Sequence, residues 1–418
     1  MTLGAARIVI IGGGAIGCSI AYHLAKRGER DVLLLEKKAL TAGSTWHAAG
    51  LVGQLRSRIN LTRLMQYSAR LCGTIGAETG QDVGWHQVGS LRLASSDARW
   101  VELKRNAAEA KRHGFDVELI GPSEIKIKFP LVDLDGVRGA TWIASDGHVD
   151  PYSLTMAYAK GARAGGVRIV EGVTVTGFRQ RGRITHVVTD QGEIACEIVV
   201  NAGGLWARHV GETAGIELPV TVVEHQYLVT EKSLLIPGGL PTLRDPDLNF
   251  YLKPEPGALA VGGWERRTLA VNGHGKLAMD FGQELFGQNL DRLAEIAGPA
   301  AMRIPVLNDV GIRTVINGPI PVSADGEPVM GIAEGIENFF IACGFTSGIA
   351  ASGGAGLAMA NWIATGDPGT DLEGFALRRF AGRRYNLEGL CDAAIGAYAA
   401  YYALSGTESR PPVLADAQ

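Results

Sequence analysis

The first forty residues combine continuous apolar runs with a glycine-rich turn. Residues 7–11 consist of Arg7 followed by an apolar run of the kind that a strand buried on both faces requires. After the turn, Ile16, Ile20 and Leu24 recur at helical spacing. The segment "VLLLE" is a second apolar run, and it ends in Glu36. The pattern therefore predicts a strand, a turn, a helix and a second strand.

Further along the chain, apolar residues recur at helical spacing in some segments and alternate or run together in others. Helices are predicted over 60–79, 98–113, 276–298 and 387–404, with others beginning at Pro151 and after residue 345. Strands are predicted within 88–96, 167–204, 220–264 and 338–345. The segment 311–331 is expected to be irregular.

The order of these segments predicts an α/β fold (α+β overall) with two domains. Segments typical of dinucleotide-binding domains are interleaved with two stretches that have an antiparallel pattern. We therefore predict a discontinuous Rossmann-type cofactor domain with a β-rich substrate domain inserted into it. The cofactor domain takes residues 1–85, 150–215 and 315–385, the substrate domain takes 86–149 and 216–314, and 386–418 form a C-terminal helix and tail.

Composition indicates a globular enzyme and not a disordered or nucleic-acid-binding protein. The net charge of the 418 residues is −3, and the basic residues are scattered, so neither nucleic acid nor an anionic membrane surface is an expected partner. The 57 glycines are about twice the usual share. Such enrichment is typical of backbone that turns tightly or approaches a ligand closely.

Two further features concern the membrane and the cysteines. The segment 338–366 carries no charge, but its apolar residues are largely alanine and glycine, so we predict a buried strand, turn and helix and no membrane span. The five cysteines stand far apart without a CxxC pair, which predicts mostly buried thiols, no metal site and a reducing, cytoplasmic location. They are Cys18, Cys72, Cys196, Cys343 and Cys391.

The glycine turn after the first strand has the spacing GxGxxG. Gly12 permits the tight turn, Gly14 lets the backbone approach a pyrophosphate, and Gly17 lets helix and strand pack closely. The start of the helix offers N–H groups to the phosphates. Glu36 follows at the position that accepts hydrogen bonds from a ribose. The motif predicts a dinucleotide site, and its place at the N-terminus of a long chain favours FAD over NAD.

The segment "STWHAAGLVG" places His47 between a tryptophan and small residues. From the residues alone, His47 could be a turn or core histidine, a general base or a point of attachment. The small residues that follow would let a planar ring system lie against the backbone, and a neutral imidazole is a competent nucleophile.

Longer motifs resemble the sarcosine and dimethylglycine dehydrogenase family, within the D-amino-acid-oxidase-like class of FAD enzymes. The resemblance covers roughly residues 5–385. It is carried by "TAGSTWHAAGLVGQLR", "DGHVDPYSLTMAYAKGAR", "VVNAGGLWAR", "EHQYLVT", "NFYLKPE", "NGPIPVSADGEPVMG" and "IACGFTSGI".

The resemblance implies an FAD-binding domain in which His47 carries the cofactor through a covalent bond to the flavin 8α-methyl group. It also implies that the helix after "GFTSG" points its N-terminus at the flavin, and that Cys343 is a core thiol. The residues expected to bind FAD are Gly12, Gly14, Ile16, Gly17, Glu36, Lys37, Ser44, Thr45, His47, Ala49, Gly50, Leu51, Val173, Ala202, Gly203, Trp206, Gly344, Thr346, Gly348 and Ile349.

Three residues are candidates for substrate chemistry. His225 in "EHQY" and Tyr251 in "NFYLKPE" match positions that line the substrate side of the flavin in the family. A histidine near its ordinary pKa could keep the amine deprotonated, and a tyrosine could orient it. Arg56 could anchor a carboxylate through its fork of donors. The alternatives are a hydrogen-bonded strand histidine, a packed strand tyrosine and a solvated surface arginine.

The resemblance implies an FAD-dependent oxidoreductase acting on a secondary or tertiary amine, such as sarcosine or dimethylglycine. Hydride would pass to flavin N5, and hydrolysis of the iminium would release formaldehyde. The chain is expected to be the oxidase module without a folate-binding aminomethyltransferase region, which a separate partner could supply. Trp264 and Glu265 stand near where related oxidases have a lysine for reaction with oxygen, so rapid use of oxygen is not expected. The electron acceptor is expected to be oxygen or a redox protein.

Two alternative functions stay open at this point. The same fold could oxidise a 2-hydroxy acid or a plain amino acid. The chain could also be a flavin electron-transfer subunit of a larger complex. The residue pattern alone does not distinguish these functions from amine oxidation.

Overall fold

The computed structural model describes residues 4–404. Within this range the helices are α1 (Ala15–Lys26), α2 (Ile59–Cys72), α3 (Ile75–Thr79), α4 (Asp97–Arg112), α5 (Pro122–Lys128), α6 (Pro151–Ala164), α7 (Ala207–Thr213), α8 (Leu290–Arg303), α9 (Gly348–Thr365) and α10 (Leu387–Ala399). The predicted tail beyond Leu404 lies outside the described residues.

The strands of the first half of the chain are β1 (Ile8–Ile11), β2 (Val32–Glu36), β3 (Leu51–Val52), β4 (Ser90–Ala94), β5 (Glu118–Ile120), β6 (Gly139–Ile143), β7 (Gly147–His148), β8 (Arg168–Glu171), β9 (Val175–Gln180), β10 (Ile184–Thr189), β11 (Gly192–Ala195) and β12 (Ile198–Asn201). Those of the second half are β13 (Val220–Thr230), β14 (Thr242–Asp245), β15 (Phe250–Glu255), β16 (Ala258–Gly263), β17 (Ile312–Ser323), β18 (Val329–Ile332) and β19 (Phe339–Cys343).

A six-stranded sheet in the order β18-β19-β12-β1-β2-β8 forms the centre of the molecule. It is parallel except for the β18–β19 pair. Ile8 and Ile10 of β1 pack on one face of it with α1, α6 and α9. Val9 and Ile11 pack into a second apolar cluster on the other face. The continuous apolar run in β1 thus reflects burial on both faces, as predicted, and the mixed α/β class is confirmed.

An eight-stranded sheet in the order β17-β13-β16-β15-β14-β4-β6-β5 forms a second layer. One of its faces packs on α8 and the residues around it. The expected irregularity of 311–331 is wrong, because β17 pairs along its length with β13. β17 is an edge strand, and edge strands tolerate prolines such as Pro319 and Pro321.

The helix predicted over 276–298 begins late. Residues 276–289 are not α-helical, and α8 starts at Leu290. The Asn289 side chain accepts a hydrogen bond from the Arg292 N–H at 3.1 Å and so caps the helix. The apolar spacing before Asn289 belongs to a loop, because this cap fixes where the helix starts.

No helix within residues 4–404 has both the length and the apolar content that crossing a membrane requires. Four cysteines are buried and Cys196 is half-buried, all as free thiols. The cytoplasmic location stays a prediction.

The predicted domain boundaries after residues 85, 149, 215 and 385 lie between the helices and strands described above. The boundary between residues 314 and 315 lies inside β17. The division into a cofactor domain and a substrate domain stays a prediction.

Candidate active site

A cleft lies where the two large sheets meet. One wall comes from the turns after β1 and β12 and from the segment before α9, and the other comes from the eight-stranded sheet. The carboxyl ends of parallel strands are the usual place for ligands in such folds. Residues predicted to bind FAD and residues predicted to act on the substrate both line this cleft.

The glycine turn at the start of α1 is built for close contact. Gly12 has a φ of 112°, and a methyl group there would lie 2.3 Å from the Ala202 carbonyl oxygen. A methyl group at Gly17 would lie 1.9 Å from the Gly12 oxygen, so Gly17 packs the helix against the strand. Gly14 caps α1 without a side chain, so a ligand oxygen can approach the first amides.

Glu36 lies at the end of β2 beside this turn. Its carboxylate accepts hydrogen bonds from the Gly13 N–H at 2.7 Å and the Lys38 N–H at 2.9 Å. Burial raises the pKa of Glu36, and the two amides partly oppose this. The carboxylate oxygens keep further acceptor sites for hydroxyl groups such as those of a ribose.

His47 is buried in the wall of the cleft, against β17. A methyl group at Gly318 would lie 2.5 Å from His47 Cε1, so only glycine at this strand position leaves room for the imidazole. The Tyr227 hydroxyl donates to the His47 carbonyl oxygen at 3.1 Å. The imidazole Nε2 is buried without a hydrogen-bond partner among the described residues. Burial lowers the pKa of His47 to about 4, so the ring is neutral.

His225 is held between two phenols. Its Nδ1 lies 2.7 Å from the Tyr398 hydroxyl, and its Nε2 lies 3.0 Å from the Tyr251 hydroxyl. Burial, with a smaller effect from His47, lowers the pKa of His225 to about 3. The expectation of a histidine near its ordinary pKa is therefore wrong, because the ring is enclosed. The pair offers a neutral imidazole that orients the Tyr251 hydroxyl.

Arg56 lies at the cleft, just after the segment that contains His47. Its backbone N–H donates to Thr62 Oγ1 at 2.9 Å, and its side-chain Nη1 donates to the Leu55 carbonyl at 2.9 Å. Its Nε is buried without a partner among the described residues. Donor capacity is thus left over for an anion in the cleft.

The turn before α9 closes the far end of the cleft. Gly344 has a φ of 70°, which favours glycine, and Thr346, Gly348 and Ile349 line the cleft with it. The helix begins after Ser347 without a side-chain cap. Its dipole therefore faces the cleft and favours negative charge there. Cys343 also lines the cleft, and burial raises the pKa of its thiol to about 12, which agrees with a core thiol.

Most of the predicted residues reach the cleft and three do not. The cleft is lined by Gly12, Gly14, Ile16, Glu36, Ser44, Thr45, His47, Ala49, Gly50, Leu51, Ala202, Gly203, Trp206, Gly344, Thr346, Gly348 and Ile349, with Arg56, His225 and Tyr251. Gly17, Lys37 and Val173 lie outside the lining. Lys37 Nζ lies 3.5 Å from the centroid of the Trp206 ring, and Val173 is buried in an apolar cluster.

Sequence reasoning missed several cleft residues, among them Tyr227, Arg244, Tyr401 and Tyr402. Trp264, considered only for the missing lysine, stacks on Tyr401 with 3.7 Å between ring centroids. Glu265 is bound instead to the Gln226 side-chain amide and to Arg292, outside the lining of the cleft. The adjacent tyrosines "YY" at 401–402 are the sequence feature that could have indicated an aromatic part of the site.

The residues present fit a flavin dinucleotide. The glycine cradle at Gly12, the free acceptor sites of Glu36 and the orphaned imidazole nitrogen of His47 lie along one cleft. Backbone without side chains admits a pyrophosphate, and a helix N-terminus balances its charge. The cleft is therefore typical of a protein that binds a dinucleotide and a small substrate side by side.

The chain belongs to the DAO family of FAD-dependent oxidoreductases, which matches residues 7–362. It is an FAD-dependent oxidoreductase, and FAD is its cofactor. It is 42% identical over 376 residues to dimethylglycine dehydrogenase of Rattus norvegicus, covering 88% of this chain and 44% of that protein. It is 35% identical over 385 residues to 4-methylaminobutanoate oxidase (formaldehyde-forming) of Paenarthrobacter nicotinovorans, covering 91% and 46%.

Among solved structures, the L-proline dehydrogenase of P. horikoshii is similar, with a TM-score of 0.80 and 29% identity, covering 90% of this chain and 98% of that one. The chain spans less than half the length of the two curated relatives above. The resemblance stated from the sequence is confirmed by these similarities.

Proposed function

We propose that the chain oxidises a secondary or tertiary amine, an N-methylated amino acid such as sarcosine or dimethylglycine, with release of formaldehyde. The observation that carries this proposal is the pair of His225 and Tyr251. The distance from His225 Nε2 to the Tyr251 hydroxyl oxygen is 3.0 Å, and the same cleft holds His47 and Arg56. The cleft thereby combines hydrogen-bonding groups for an amine, His225 and Tyr251, with a cationic group for a carboxylate, Arg56.

The amine must be neutral before it can be oxidised, because its lone pair assists the departure of hydride. Bound FAD supplies the acceptor for that hydride. The cleft favours a neutral amine since burial and the positive charge of Arg56 both oppose an ammonium ion. His225 Nε2 accepts a hydrogen bond from the Tyr251 hydroxyl and so leaves the Tyr251 oxygen free to accept a hydrogen bond from the N–H of the amine.

Arg56 would hold the carboxylate of the amino acid. Its guanidinium keeps an unpartnered Nε, and a carboxylate accepts two parallel hydrogen bonds from such a fork. With the carboxylate on Arg56 and the amine on Tyr251, both ends of the amino-acid backbone are held, and the N-methyl carbon on the other side of the nitrogen is the carbon left free to be oxidised. This placement reduces the number of C–H bonds that can react.

His47 is proposed as the covalent attachment point of FAD. Its support is the buried, unpartnered Nε2 on the cleft wall and a pKa of about 4, which keeps the nitrogen lone pair free. Lys37 and Val173, outside the lining, would act by shaping the adenine end rather than by touching the ring system. The acceptor, oxygen or a redox protein, and a separate folate-dependent partner stay predictions.

The proposed reaction is tested by anaerobic mixing of the purified flavoprotein with a panel of substrates. We expect N-methyl amino acids to bleach the flavin absorbance and to yield formaldehyde, while matched unmethylated amino acids and 2-hydroxy acids do not. Bleaching by the hydroxy acids or the primary amino acids alone would contradict the proposal. Flavin reduction without formaldehyde would contradict demethylation.

A further inference from the structure

Two arginines stand side by side on the face of the eight-stranded sheet that forms the cleft. Arg244 of β14 is directly opposite Tyr251 of β15, and on its other side it is directly opposite Arg92 of β4. Side chains at opposite positions of neighbouring strands share a face and lie about 5 Å apart. Tyr251 and Arg244 line the cleft, and Arg92 continues the row beside Arg244, outside the lining and away from His225.

Arg56 comes from the opposite wall of the cleft to the region of Arg244 and Arg92, so three guanidinium groups lie in this region. None of Arg56, Arg92 and Arg244 forms a salt bridge with any residue in the range 4–404. The Nε atoms of Arg56 and Arg92 are buried and have no hydrogen-bond partner there. Like charges at opposite strand positions repel each other, so this arrangement costs stability unless an anion joins it.

The nearby carboxylates are engaged elsewhere. Asp146 Oδ1 accepts from the Gln54 N–H at 3.1 Å and the Gln54 side-chain amide at 2.7 Å, and its Oδ2 accepts from the Ser90 hydroxyl at 2.5 Å. Glu327 lies 3.4 Å from Arg58. Burial raises the pKa of both acids, and the charges of Arg244 on Asp146 and of Arg56 on Glu327 oppose this rise, but within residues 4–404 neither acid forms a salt bridge with any of the three arginines.

The three arginines affect the pKa of a tyrosine in the cleft. Burial alone would raise the pKa of Tyr401, yet Arg56, a hydrogen bond to Ser347, Arg244 and Arg92 together bring it below the ordinary value. The guanidinium of Arg92 also lies 5.6 Å from the ring centroid of Tyr402. All three arginines thus act on one small region beside these two rings.

We propose that Arg56, Arg92 and Arg244 make the cleft selective for a substrate with two acidic groups, an N-alkylated amino dicarboxylate. This proposal rests on the proposed amine oxidation and specifies its substrate class. Arg56 binds the carboxylate next to the amine, and the Arg244–Arg92 pair binds the second one. A single carboxylate would leave two of the three guanidinium groups unmatched.

The substrate preference is measured by anaerobic flavin reduction with N-methylaspartate and N-methylglutamate against sarcosine and N-methylalanine. We expect the ratio of reduction rate to dissociation constant to be at least about tenfold higher for the dicarboxylates, because charge-assisted bidentate bonds are the strong ones. Arg244→Gln should lower this preference, and the exposed Arg63→Gln should not. Equal or better use of the monocarboxylates by the wild-type protein overturns the proposal.

A second measurement does not depend on the amine. Succinate and malonate should raise the unfolding temperature of the flavoprotein more than acetate does at equal ionic strength, since a ligand stabilises the state that binds it. Arg92→Gln and Arg244→Gln should lose this difference, and Arg63→Gln should keep it. No difference in the wild-type protein overturns the arginine site.

The two measurements separate the two proposals. If the dicarboxylates raise the unfolding temperature but no N-methyl amino acid reduces the flavin, the amine oxidation fails and the anion site stands. If sarcosine reduces the flavin as well as N-methylaspartate does and succinate gives no shift, the anion site fails and the amine oxidation stands.

Discussion

At the scale of single residues, Tyr398 controls the candidate catalytic pair without lying in the cleft lining. It is buried, and its hydroxyl lies 2.7 Å from His225 Nδ1. A neutral imidazole has one donor and one acceptor nitrogen, so the bond at Nδ1 decides which role Nε2 plays toward Tyr251. Tyr398 is thus a positioning residue.

Tyr398→Phe removes the hydroxyl and keeps the ring that packs on Trp264. We expect kcat to fall about tenfold or more with little change in KM, because the imidazole loses its fixed tautomer and not its contact with substrate. Steady-state kinetics with an N-methyl amino acid checks this. The exposed Tyr152→Phe is the matched control, and equal effects of the two changes would refute the role of Tyr398.

Residue types alone revealed only part of the site. His47, His225 and Tyr251 were found through motifs that are continuous in sequence. Arg92 and Arg244 were not, because their proximity arises from the register between β4 and β14. Register between strands about 150 residues apart depends on the whole sheet, and no local pattern specifies it.

At the scale of elements, the segment that carries His47 depends on strand β17. Gly318 lies opposite His225 in the β13–β17 ladder and leaves the space that the His47 ring occupies. The strand itself was missed, since its pairing with β13 is long-range, whereas β1, α1 and β2 are neighbours in sequence and were predicted from their own periodicity.

Gly318→Ala should displace His47 and prevent covalent attachment, while FAD still binds without the bond. Protein denatured in acid and washed should then lose its flavin fluorescence, as should His47→Ala, whereas the wild-type protein keeps it. Gly177→Ala is the control, because a methyl group there meets nothing within 4 Å. Retained fluorescence in His47→Ala would exclude the proposed bond.

At the scale of the whole molecule, buried histidines link folding to pH. Burial lowers the pKa values of His23 and His47 to about 4 and that of His225 to about 3. Unfolded histidines titrate near pH 6.5, so below that pH the unfolded chain binds more protons than the native one. The contribution of these three histidines to stability is therefore fully present above pH 6.5 and declines as the pH falls toward 4.

The unfolding temperature should accordingly drop steeply between pH 6.5 and 4. His23, which lies outside the cleft and is bonded to the Ser19 carbonyl at 2.7 Å, contributes about 3 kcal/mol to this loss. His23→Gln should flatten the decline, and the exposed His274→Gln should leave it as it is. A decline that His23→Gln does not change would show that other groups cause it.

Helix α10 and the residues just after it supply Tyr398, Tyr401 and Tyr402, which stand beside or behind the reacting groups. Residues 398–402 therefore belong with the candidate active site, although they are far in sequence from its other residues. Shortening the protein before residue 401 would remove Tyr401 and Tyr402 from the lining of the cleft. Engineering of this enzyme should therefore leave residues 398–402 unchanged.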